Sequence, residues 1–422
     1  MERIEKQRGD MFLVTLLIVI LGVGMAFLFS SSSSFSGRAY KDPLFLLKRQ
    51  LIWAALGGAA AFVVSLTPLA VFRRWMPFIV LGTLAAVLLP FLPKLGSSVL
   101  GSRRWITLFG FSFQPSELAK LTLVLYLASY FARRDEREAS SAASESAPAP
   151  PSGHTESAEY RGAKSAGYRG AKSAEYRGAK SAEYRGAKSA EYRGDMNALI
   201  PPFVVICLFA GIVLLQNDYS TSIFVLITGL TMMYIARVRL LQFFLVTLFT
   251  LPLGFLLLFT REHRVQRLVA FFDLSSHSSG TGYQIVTSKA AIVAGGLFGK
   301  GLGRSAAKLG PLPMSYSDFI YTIVGEEAGL LGALFVLALF ALLAWRGYRI
   351  ALRSRDHFSY YVAFGLTSAL CLQALLNMAV AAGLVPTTGV TLPFFSAGGS
   401  SLFTTLVMCG LLVNLSRRVT DV

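Results

Sequence analysis

Charged residues are scarce in this 422-residue chain, and acids are the scarcer sign. Only 15% of residues are charged, and 23 acids stand against 40 lysines and arginines, which gives a net charge of +17. A typical soluble domain has about a quarter of its residues charged, whereas this chain is 54% hydrophobic with a mean hydropathy of +0.56. The composition excludes a disordered protein and an ordinary cytosolic enzyme. It predicts an integral membrane protein with many spans.

Cysteine and histidine are also rare, and each shortage excludes a class of site. The three cysteines, Cys207, Cys371 and Cys409, lie far apart in apolar runs and are interpreted as small core residues, so a disulfide scaffold is excluded. None of the four histidines lies in an apolar run, so neither a Ser-His-Asp triad nor a His-ligated zinc site is expected. The glycine-rich stretch 295–303 lacks the Lys-Ser/Thr of a P-loop, and nucleotide-driven transport therefore has no support.

The apolar runs stop in one segment, 133–197, which separates 1–132 from 198–422. An eight-residue unit, EYRGAKSA, begins at Glu159 and recurs at residues 167, 175, 183 and 191. Its one large side chain is a tyrosine, which cannot bury enough surface to offset the entropy of ordering the chain. We expect a flexible cytoplasmic linker, with partner docking as the alternative. The segment contributes +2 to the net charge, so +15 belongs to the membrane body.

The apolar runs predict an all-α polytopic membrane protein with about ten transmembrane helices. They cover about 11–30, 45–66, 75–92, 115–132, 198–215, 220–236, 240–260, 319–345, 359–382 and 400–416. An even number of spans places both termini on one side. The arginines of the short loops make that side the cytoplasm. A long extracytoplasmic loop, 260–318, then connects the seventh and eighth helices.

The outer side holds cations that this orientation does not explain. Seven lie between Arg261 and Lys308, and Arg104 lies in an earlier outer segment. An anionic ligand at the outer membrane face is the simplest cause, and the alternative is a long loop that crosses regardless of its charge. The glycine-rich outer stretch, with its neighbouring cations, suits phosphate contact through backbone N–H groups. Those cations are Lys289, Lys300, Arg304 and Lys308.

Five acids flank or enter the apolar runs, where ionisable groups are costly and mark a site by default. They are Glu117, Asp218, Asp318, Glu326 and Glu327. Lys120 also lies inside the fourth run, on the same helix face as Glu117. We expect Lys120 to pair with Asp218 as a structural clamp, which leaves Asp318 free for chemistry. The alternative role for Asp318 is a helix N-cap.

Several motifs taken together resemble the SEDS family, the shape, elongation, division and sporulation polymerases of the FtsW/RodA/SpoVE type. The motifs are Lys48 to Trp53, Arg104-Trp105, Gln114 to Lys120, Gly282-Tyr283-Gln284, Leu312-Pro313, Asp318-Phe319-Ile320, Glu326-Glu327, Gly383 to Ser396 and Gly398 to Ser401. The similarity covers nearly all of the chain outside the insert. The motif Pro-Thr-Thr-Gly-Val-Thr, residues 386–391, resembles the division members of the family most. The family usually has Glu, His, Thr and Tyr where this chain has Met314, Tyr316, Ser317 and Ala397.

The resemblance implies a peptidoglycan glycosyltransferase that polymerises lipid II at the outer face of the bacterial cytoplasmic (inner) membrane for septal wall synthesis. Asp318 corresponds to the family's catalytic aspartate and is expected to act as general base. Lys120 and Asp218 correspond to its Lys–Asp pair. The substrate-binding residues implied are Arg49, Arg104, Gln114, Ser116, Glu117, Tyr283, Gln284, Lys308, Ser396, Gly398 and Ser400.

The implied partners are lipid II, a class B penicillin-binding protein transpeptidase and other divisome membrane proteins, with no nucleic acid. A divalent cation, Mg or Mn, is an expectation without an evident all-protein cage, and no organic cofactor is expected. The alternatives are a lipid II flippase and a non-catalytic divisome scaffold. A flippase should have polar residues along a path through the bilayer. Here they cluster at the outer end, apart from Glu326 and Glu327.

Overall fold

The computed structural model describes residues 10–92, 96–99, 102–108, 111–145, 196–238, 241–248, 262–272, 281–310 and 312–419. The helices are α1 Met11–Tyr40, α2 Phe45–Leu66, α3 Leu69–Arg74, α4 Met76–Leu88, α5 Pro115–Glu145, α6 Ile200–Leu215, α7 Tyr219–Ile235, α8 Glu262–Phe272, α9 Thr281–Gly295, α10 Ile320–Leu352, α11 His357–Ala381 and α12 Gly399–Ser416. Residues 241–248 are also helical. Three short strands, β1 Gly96–Val99, β2 Ser102–Leu108 and β3 Phe111–Phe113, lie between α4 and α5.

The apolar runs that lie within the described residues form helices, as predicted, and the protein is a multi-pass membrane protein. Within the described ranges, five helices are long and apolar enough to cross a membrane: α1, α2, α10, α11 and α12. Helices α6 and α7 and the α4 region are shorter apolar helices. Most of the predicted seventh span, 240–260, lies outside the described residues. The total of ten spans therefore stays a prediction.

Helix α10 is broken at Gly329, where the backbone turns to φ 67° and ψ −165°. This left-handed conformation is strained for residues with a Cβ atom and is available to glycine. The amide of Leu330 donates to the carbonyl oxygen of Gly296 at 2.9 Å, so the chain after α9 supplies a partner at the break. Between Gly329 and Arg346 the helix rises through 17 residue steps and so spans ~26 Å, close to the thickness of a bilayer core.

Ion pairs and hydrogen bonds at the two ends of this span orient the protein in the membrane. At one end Asp10 forms a salt bridge with Arg346, and the amide of Asp10 donates to the hydroxyl of Ser416 at 3.3 Å. At the other end the hydroxyl of Ser30 donates to Glu327 at 2.6 Å. The first and last helices therefore have their chain-terminal ends at the same face. The arginine-rich loops of that face make it the cytoplasmic side.

Close helix contacts form the core beneath the outer end. Helix α12 packs along α2 with glycine at the contact: a Cβ on Gly410 would lie 2.5 Å from the carbonyl oxygen of Ala61, and one on Gly57 would lie 3.1 Å from the Cα of Phe403. Small residues allow the backbones of membrane helices to approach this closely. Helix α10 exposes leucines such as Leu334, as expected for a helix in contact with lipid.

Two features of the outer side were not anticipated. The strands form an antiparallel sheet in the order β1-β2-β3, with Ile106 of β2 opposite Phe113 of β3. The long loop 260–318 contains helices α8 and α9. On the inner side α5 continues as a helix to Glu145, beyond the predicted end of the fourth span at 132. The EYRGAKSA repeat lies outside the described residues.

Candidate active site

A cavity of about 1060 Å³ lies at the outer end of the helices. Its walls come from α2, β2, the start of α5, the α6–α7 turn, α8, α9 and the segments before α10 and α12. The predicted site residues that line it are Arg49, Arg104, Gln114, Glu117, Lys120, Asp218, Gln284, Asp318, Gly398 and Ser400. Ten residues chosen from seven separate sequence segments thus share one cavity.

Asp318 lies in the turn before α10 and has an available carboxylate. Ser317 donates to its Oδ1 at 3.1 Å, and no described cation forms a salt bridge with it. Helix α10 begins after Phe319 without a side-chain cap, so the N-cap alternative for Asp318 is not observed. Desolvation by the cavity walls raises the pKa of Asp318, while the hydrogen bond from Ser317 and the charges of Arg104 and Arg267 oppose that rise. The group is placed to accept a proton.

The segment 386–391 lies against Asp318. Asn377 of α11 donates through Nδ2 to the carbonyl oxygens of both Asp318 and Val390, each at 2.8 Å. A Cβ on Gly389, which has φ 78°, would lie 3.5 Å from the Oδ2 of Asp318. The hydroxyl of Ser220 donates to the carbonyl oxygen of Thr388. These contacts fix both the backbone of the carboxylate and the wall behind it.

The predicted ion pair between Lys120 and Asp218 is not formed, and this prediction is wrong. Lys120 pairs with Glu117 at 2.7 Å and donates to Gln373 at 2.8 Å. Because Glu117 lies three residues earlier on the same helix, it faces the same side as Lys120. The ammonium also lies 5.2 Å from the ring centroid of Phe224, where the aromatic face attracts a cation.

Asp218 is paired instead by groups from the outer sheet and the start of α5. Arg104 of β2 lies 3.3 Å from its Oδ1, and Gln114 donates to its Oδ2 at 2.6 Å. Its Oδ1 also accepts from the amide of Thr221 at 3.3 Å and so caps α7. This buried acid is therefore neutralised and structural. The unpredicted sheet is what carries Arg104 to it.

Arg267 of α8 is a cavity residue that the sequence did not single out. It lines the same cavity as Asp318, and its Nη1 lies 3.5 Å from the carbonyl oxygen of Thr387. Burial lowers the pKa of this guanidinium, while the charge of Asp318 opposes the shift. The available signal was the excess of outer cations between Arg261 and Lys308, which did not separate Arg267 from its neighbours.

Three predicted substrate-binding residues lie behind or outside the cavity lining. Ser116 is fully buried and accepts from Gln114 at 3.0 Å. Ser396 is buried, donates to the carbonyl oxygen of Ser317 at 2.6 Å and accepts from the amide of Leu392 at 2.8 Å. Tyr283 of α9 is exposed and does not line the cavity. The two serines hold the walls in place rather than facing a ligand.

Lys308, predicted to bind the anionic substrate, forms a buried ion pair elsewhere. Its Nζ lies 2.7 Å from the Oε1 of Glu327, and the two side chains are 4% and 0% exposed. Lys300 lies 2.7 Å from the Oε1 of Glu326 in the same cluster. The interpretation of the glycine-rich stretch as a flexible phosphate loop is wrong for these two lysines. Glutamates of α10 already neutralise them, because the stretch packs against the break at Gly329.

A metal centre made by the protein alone is not found in the part of the chain that the structure describes. No three His, Cys, Asp or Glu side chains come together there. In the cavity Asp218 pairs with Arg104 and Glu117 pairs with Lys120, so that Asp318 is a carboxylate without an ion-pair partner among the described residues. The donor set therefore does not fit a dedicated divalent-cation cage.

Comparisons with known proteins agree with this architecture. A family model described as "Cell cycle protein", FtsW/RodA/SpoVE, matches residues 10–149 and 179–421 and leaves out part of the repeat insert. A relative from Geobacter sp. (strain M18), "Probable peptidoglycan glycosyltransferase FtsW", is 31% identical over 419 residues, 99% of each chain. "Stage V sporulation protein E" of Bacillus subtilis (strain 168) is 31% identical over 414 residues, 98% of this chain.

Solved structures share the fold over almost the whole chain. One comes from "Structural coordination of polymerization and crosslinking by a peptidoglycan synthase complex" and superposes with a TM-score of 0.68 at 25% identity, covering 98% of this chain and 99% of the other. The rod shape determining protein RodA of Thermus thermophilus gives a TM-score of 0.61 at 24% identity, covering 98% of each. The matches extend from the first described helix to the last, and the chain belongs to the FtsW/RodA/SpoVE family of cell cycle proteins.

Proposed function

We propose that this protein is a peptidoglycan glycosyltransferase of the bacterial inner membrane that polymerises lipid II into glycan strands for the septal wall. The observation that carries the proposal is Asp318, a carboxylate without an ion-pair partner among the described residues, in a cavity whose other acids are paired. The names of the relatives, probable peptidoglycan glycosyltransferases, support the same activity. The outer position of the cavity matches a substrate whose sugar lies outside the membrane.

The reaction needs a base for the acceptor. The 4-hydroxyl oxygen of the GlcNAc of one lipid II attacks the anomeric carbon of the MurNAc at the end of the growing strand. The hydroxyl proton passes to the carboxylate of Asp318, a new glycosidic C–O bond forms, and the bond from the anomeric carbon to the diphosphate oxygen breaks with its electron pair. A carboxylate within hydrogen-bond reach of the acceptor serves as general base. Its raised pKa favours proton uptake.

The leaving undecaprenyl diphosphate needs positive charge as the bond breaks. Arg104 and Arg267 both line the cavity, and both act electrostatically on Asp318. We assign them to the diphosphate, with Arg104 held by Asp218. Mg²⁺ is usually bound by one or two carboxylates together with substrate phosphates. The described residues supply no cage for a divalent cation, so Mg²⁺ or Mn²⁺, if bound, would take most of its ligands from the substrate and would supply positive charge there.

The transpeptidase partner is part of the same proposal. A class B penicillin-binding protein that crosslinks the strand would receive the product as it leaves the cavity, and other divisome membrane proteins would position the pair at the septum. The similarity to a chain from a peptidoglycan synthase complex supports this partner, because that structure concerns both polymerization and crosslinking.

The test uses the full chain purified with its penicillin-binding protein, with transpeptidation inhibited and lipid II supplied. We expect wild type to make glycan strands and Asp318→Asn to make none. Asp42→Asn is the matched control, because Asp42 lies outside the cavity lining and pairs at 2.8 Å with the exposed Lys48. Equal polymer from wild type and Asp318→Asn would refute the proposed base. If wild type makes no strands but moves lipid II across vesicle membranes, the flippase alternative is correct. If wild type shows neither activity, the non-catalytic scaffold alternative is correct.

A further inference from the structure

Four aromatic rings form a continuous row at the outer end of α1 and α2. Phe45 stacks on Tyr40 with centroids 4.0 Å apart, and Tyr40 meets Phe35 edge-on at 6.3 Å. Phe35 in turn stacks on Tyr316 at 4.7 Å. These residues come from three separate segments, the end of α1, the start of α2 and the turn before α10. The row is therefore a product of the tertiary structure.

The row leads to the catalytic cavity. Tyr316 lines the cavity two residues before Asp318, and its carbonyl oxygen accepts from the amide of Ala397 at 2.9 Å, which holds it to the cavity wall. Farther along the row Tyr40 is 47% exposed. None of the four rings belongs to a buried apolar cluster of the described core. The rings thus present a surface from the solvent to the reacting carboxylate.

The height of the row separates it from a lipid-facing aromatic belt. Ser30 contacts Glu327, which marks the outer end of the ~26 Å span of α10. Phe35 and Tyr40 lie five and ten residues farther along α1, about 8 and 15 Å beyond that level. Interfacial tryptophans and tyrosines of membrane proteins lie at the headgroup level. The outer half of this row extends past it.

We propose that the cavity-lining side of Tyr316 and the exposed side of Tyr40, joined through Phe35, form a saccharide-binding surface that holds amino-sugar rings of the glycan strand next to Asp318. The ring faces that the row leaves uncovered carry negative potential, and the axial C–H bonds of a pyranose ring carry the complementary positive potential. The hydroxyls at the ring edge stay in water. This surface rests on the proposed function and extends it, because a polymerase uses contacts to remote sugars to position the reacting one. Tyr316, which lines the cavity together with Asp318, supplies the ring nearest the chemistry.

Substitutions of the two tyrosines of the row test the proposal. Tyr40→Ala and Tyr316→Ala are expected to shorten the glycan strands and raise the KM for lipid II about two- to tenfold, the range of one lost aromatic contact. Tyr316→Phe keeps the ring and is expected to restore most of the strand length that Tyr316→Ala loses. Phe272→Ala is the control, because Phe272 is an exposed outer aromatic outside both the row and the cavity lining.

A binding measurement separates this proposal from the reaction itself. Tetra-N-acetylchitotetraose is added to the purified Asp318→Asn complex, and saturation-transfer NMR is expected to detect contact with its sugar rings that weakens when Tyr40→Ala is added. Unchanged contact and unchanged strand length in the Tyr40→Ala and Tyr316→Ala variants would overturn the surface, even if wild type polymerises. Reduced protein yield alone, with normal strand length in the surviving protein, would also overturn it in favour of membrane anchoring. If wild type makes no strands, the proposed function fails while the NMR result still decides sugar binding.

Discussion

The side-chain amide of Asn377 joins the carbonyl oxygen of Asp318 to that of Val390, each at 2.8 Å. Asn377 is fully buried in α11. One donor group thus connects the turn that carries the carboxylate to the segment that forms the wall beside it. Because the bonds go to the backbone, Asn377 positions the carboxylate without contacting its oxygens, and its loss should displace the base while leaving the carboxylate in the protein.

Asn377→Leu is expected to reduce kcat at least tenfold with little change in KM for lipid II, because the carboxylate is displaced from the acceptor. Leaving buried carbonyl oxygens without donors also costs about 1–3 kcal/mol of stability. Asn414→Leu is the control, because Asn414 is equally buried and donates to the carbonyl oxygens of Val64 and Thr67 far from the cavity. Thermal unfolding and strand synthesis are measured on both. Equal loss of kcat in the two variants would contradict the positioning role.

The polymerisation rate should fall on acidification at a pH above the ordinary aspartate range, because desolvation raises the pKa of Asp318 and the base works only when ionised. An aspartate is usually half ionised near pH 3.9, with a spread of about one unit. Arg267→Gln removes a cation that favours the ionised form, so it should move this acid limb to still higher pH. The measurement is kcat/KM against pH, with Arg38→Gln, an exposed outer arginine, as control. A limb that does not move in Arg267→Gln contradicts the assignment.

The stability of the same site has the opposite dependence on pH. A carboxyl whose pKa is higher in the folded than in the unfolded chain contributes stability below the unfolded pKa, and this is lost as pH rises through the folded pKa. Asp318→Asn removes an ionised group from the cavity, so at neutral pH its melting temperature should equal or exceed that of wild type. A clear drop in melting temperature at neutral pH would mean that the ionised carboxylate stabilises the fold.

Lys120→Met should destabilise the protein by about 3–5 kcal/mol, because it leaves the buried carboxylate of Glu117 without its cation. The partner is identified by second-site substitution. Adding Glu117→Gln should restore much of the loss, whereas adding Asp218→Asn should not, since Asp218 keeps Arg104 and Gln114. Unfolding midpoints and membrane abundance give the comparison. If Asp218→Asn rescued stability and Glu117→Gln did not, the predicted ion pair between Lys120 and Asp218 would be correct after all.

Lys308→Met should cost far more stability than Lys300→Met, although both lysines pair with adjacent glutamates. The Lys308 side chain is 4% exposed, whereas that of Lys300 is 37% exposed, and exposed pairs contribute about 0–1 kcal/mol. Adding Glu327→Gln to Lys308→Met should restore abundance. In that double variant the KM for lipid II should match wild type. A raised KM would show that Lys308 contacts the substrate, as the sequence predicted.

Deletion of residues 155–194 should leave strand synthesis unchanged, because the family model omits part of this segment and the repeat cannot form a core of its own. Polymer yield and strand length are compared with wild type and with a chain whose repeat tyrosines are changed to alanine. If both changes lower activity equally, the tyrosines dock a partner, as the alternative interpretation holds. Loss on deletion alone would indicate that the linker's length matters.

The sequence alone located the spans and the unusual polar groups with some accuracy. Apolar runs of bilayer length predict helices directly, and acids beside them, such as Asp318, are conspicuous against lipid. The common side of the two chain ends followed from the even number of predicted spans, and the arginines of the short loops identified that side as the cytoplasm. The sheet β1–β3 escaped prediction because its strands are very short and lie in a segment interpreted only as an outer connection. Helix α8 escaped because it lay within a loop considered only for its charge.

Hydropathy and charge along the chain establish that the protein lies in a membrane, which end of it is polar and which few acids are candidates for chemistry. Which of those acids are available depends on the packing of distant segments. Lys120 pairs with Glu117 and Arg104 with Asp218 because an ion pair needs contact within a few ångströms, and such distances between distant segments depend on packing. The same packing buries Lys308 and brings Arg267 to the cavity. Hydropathy is a local property of the chain, whereas charge compensation depends on every neighbouring element.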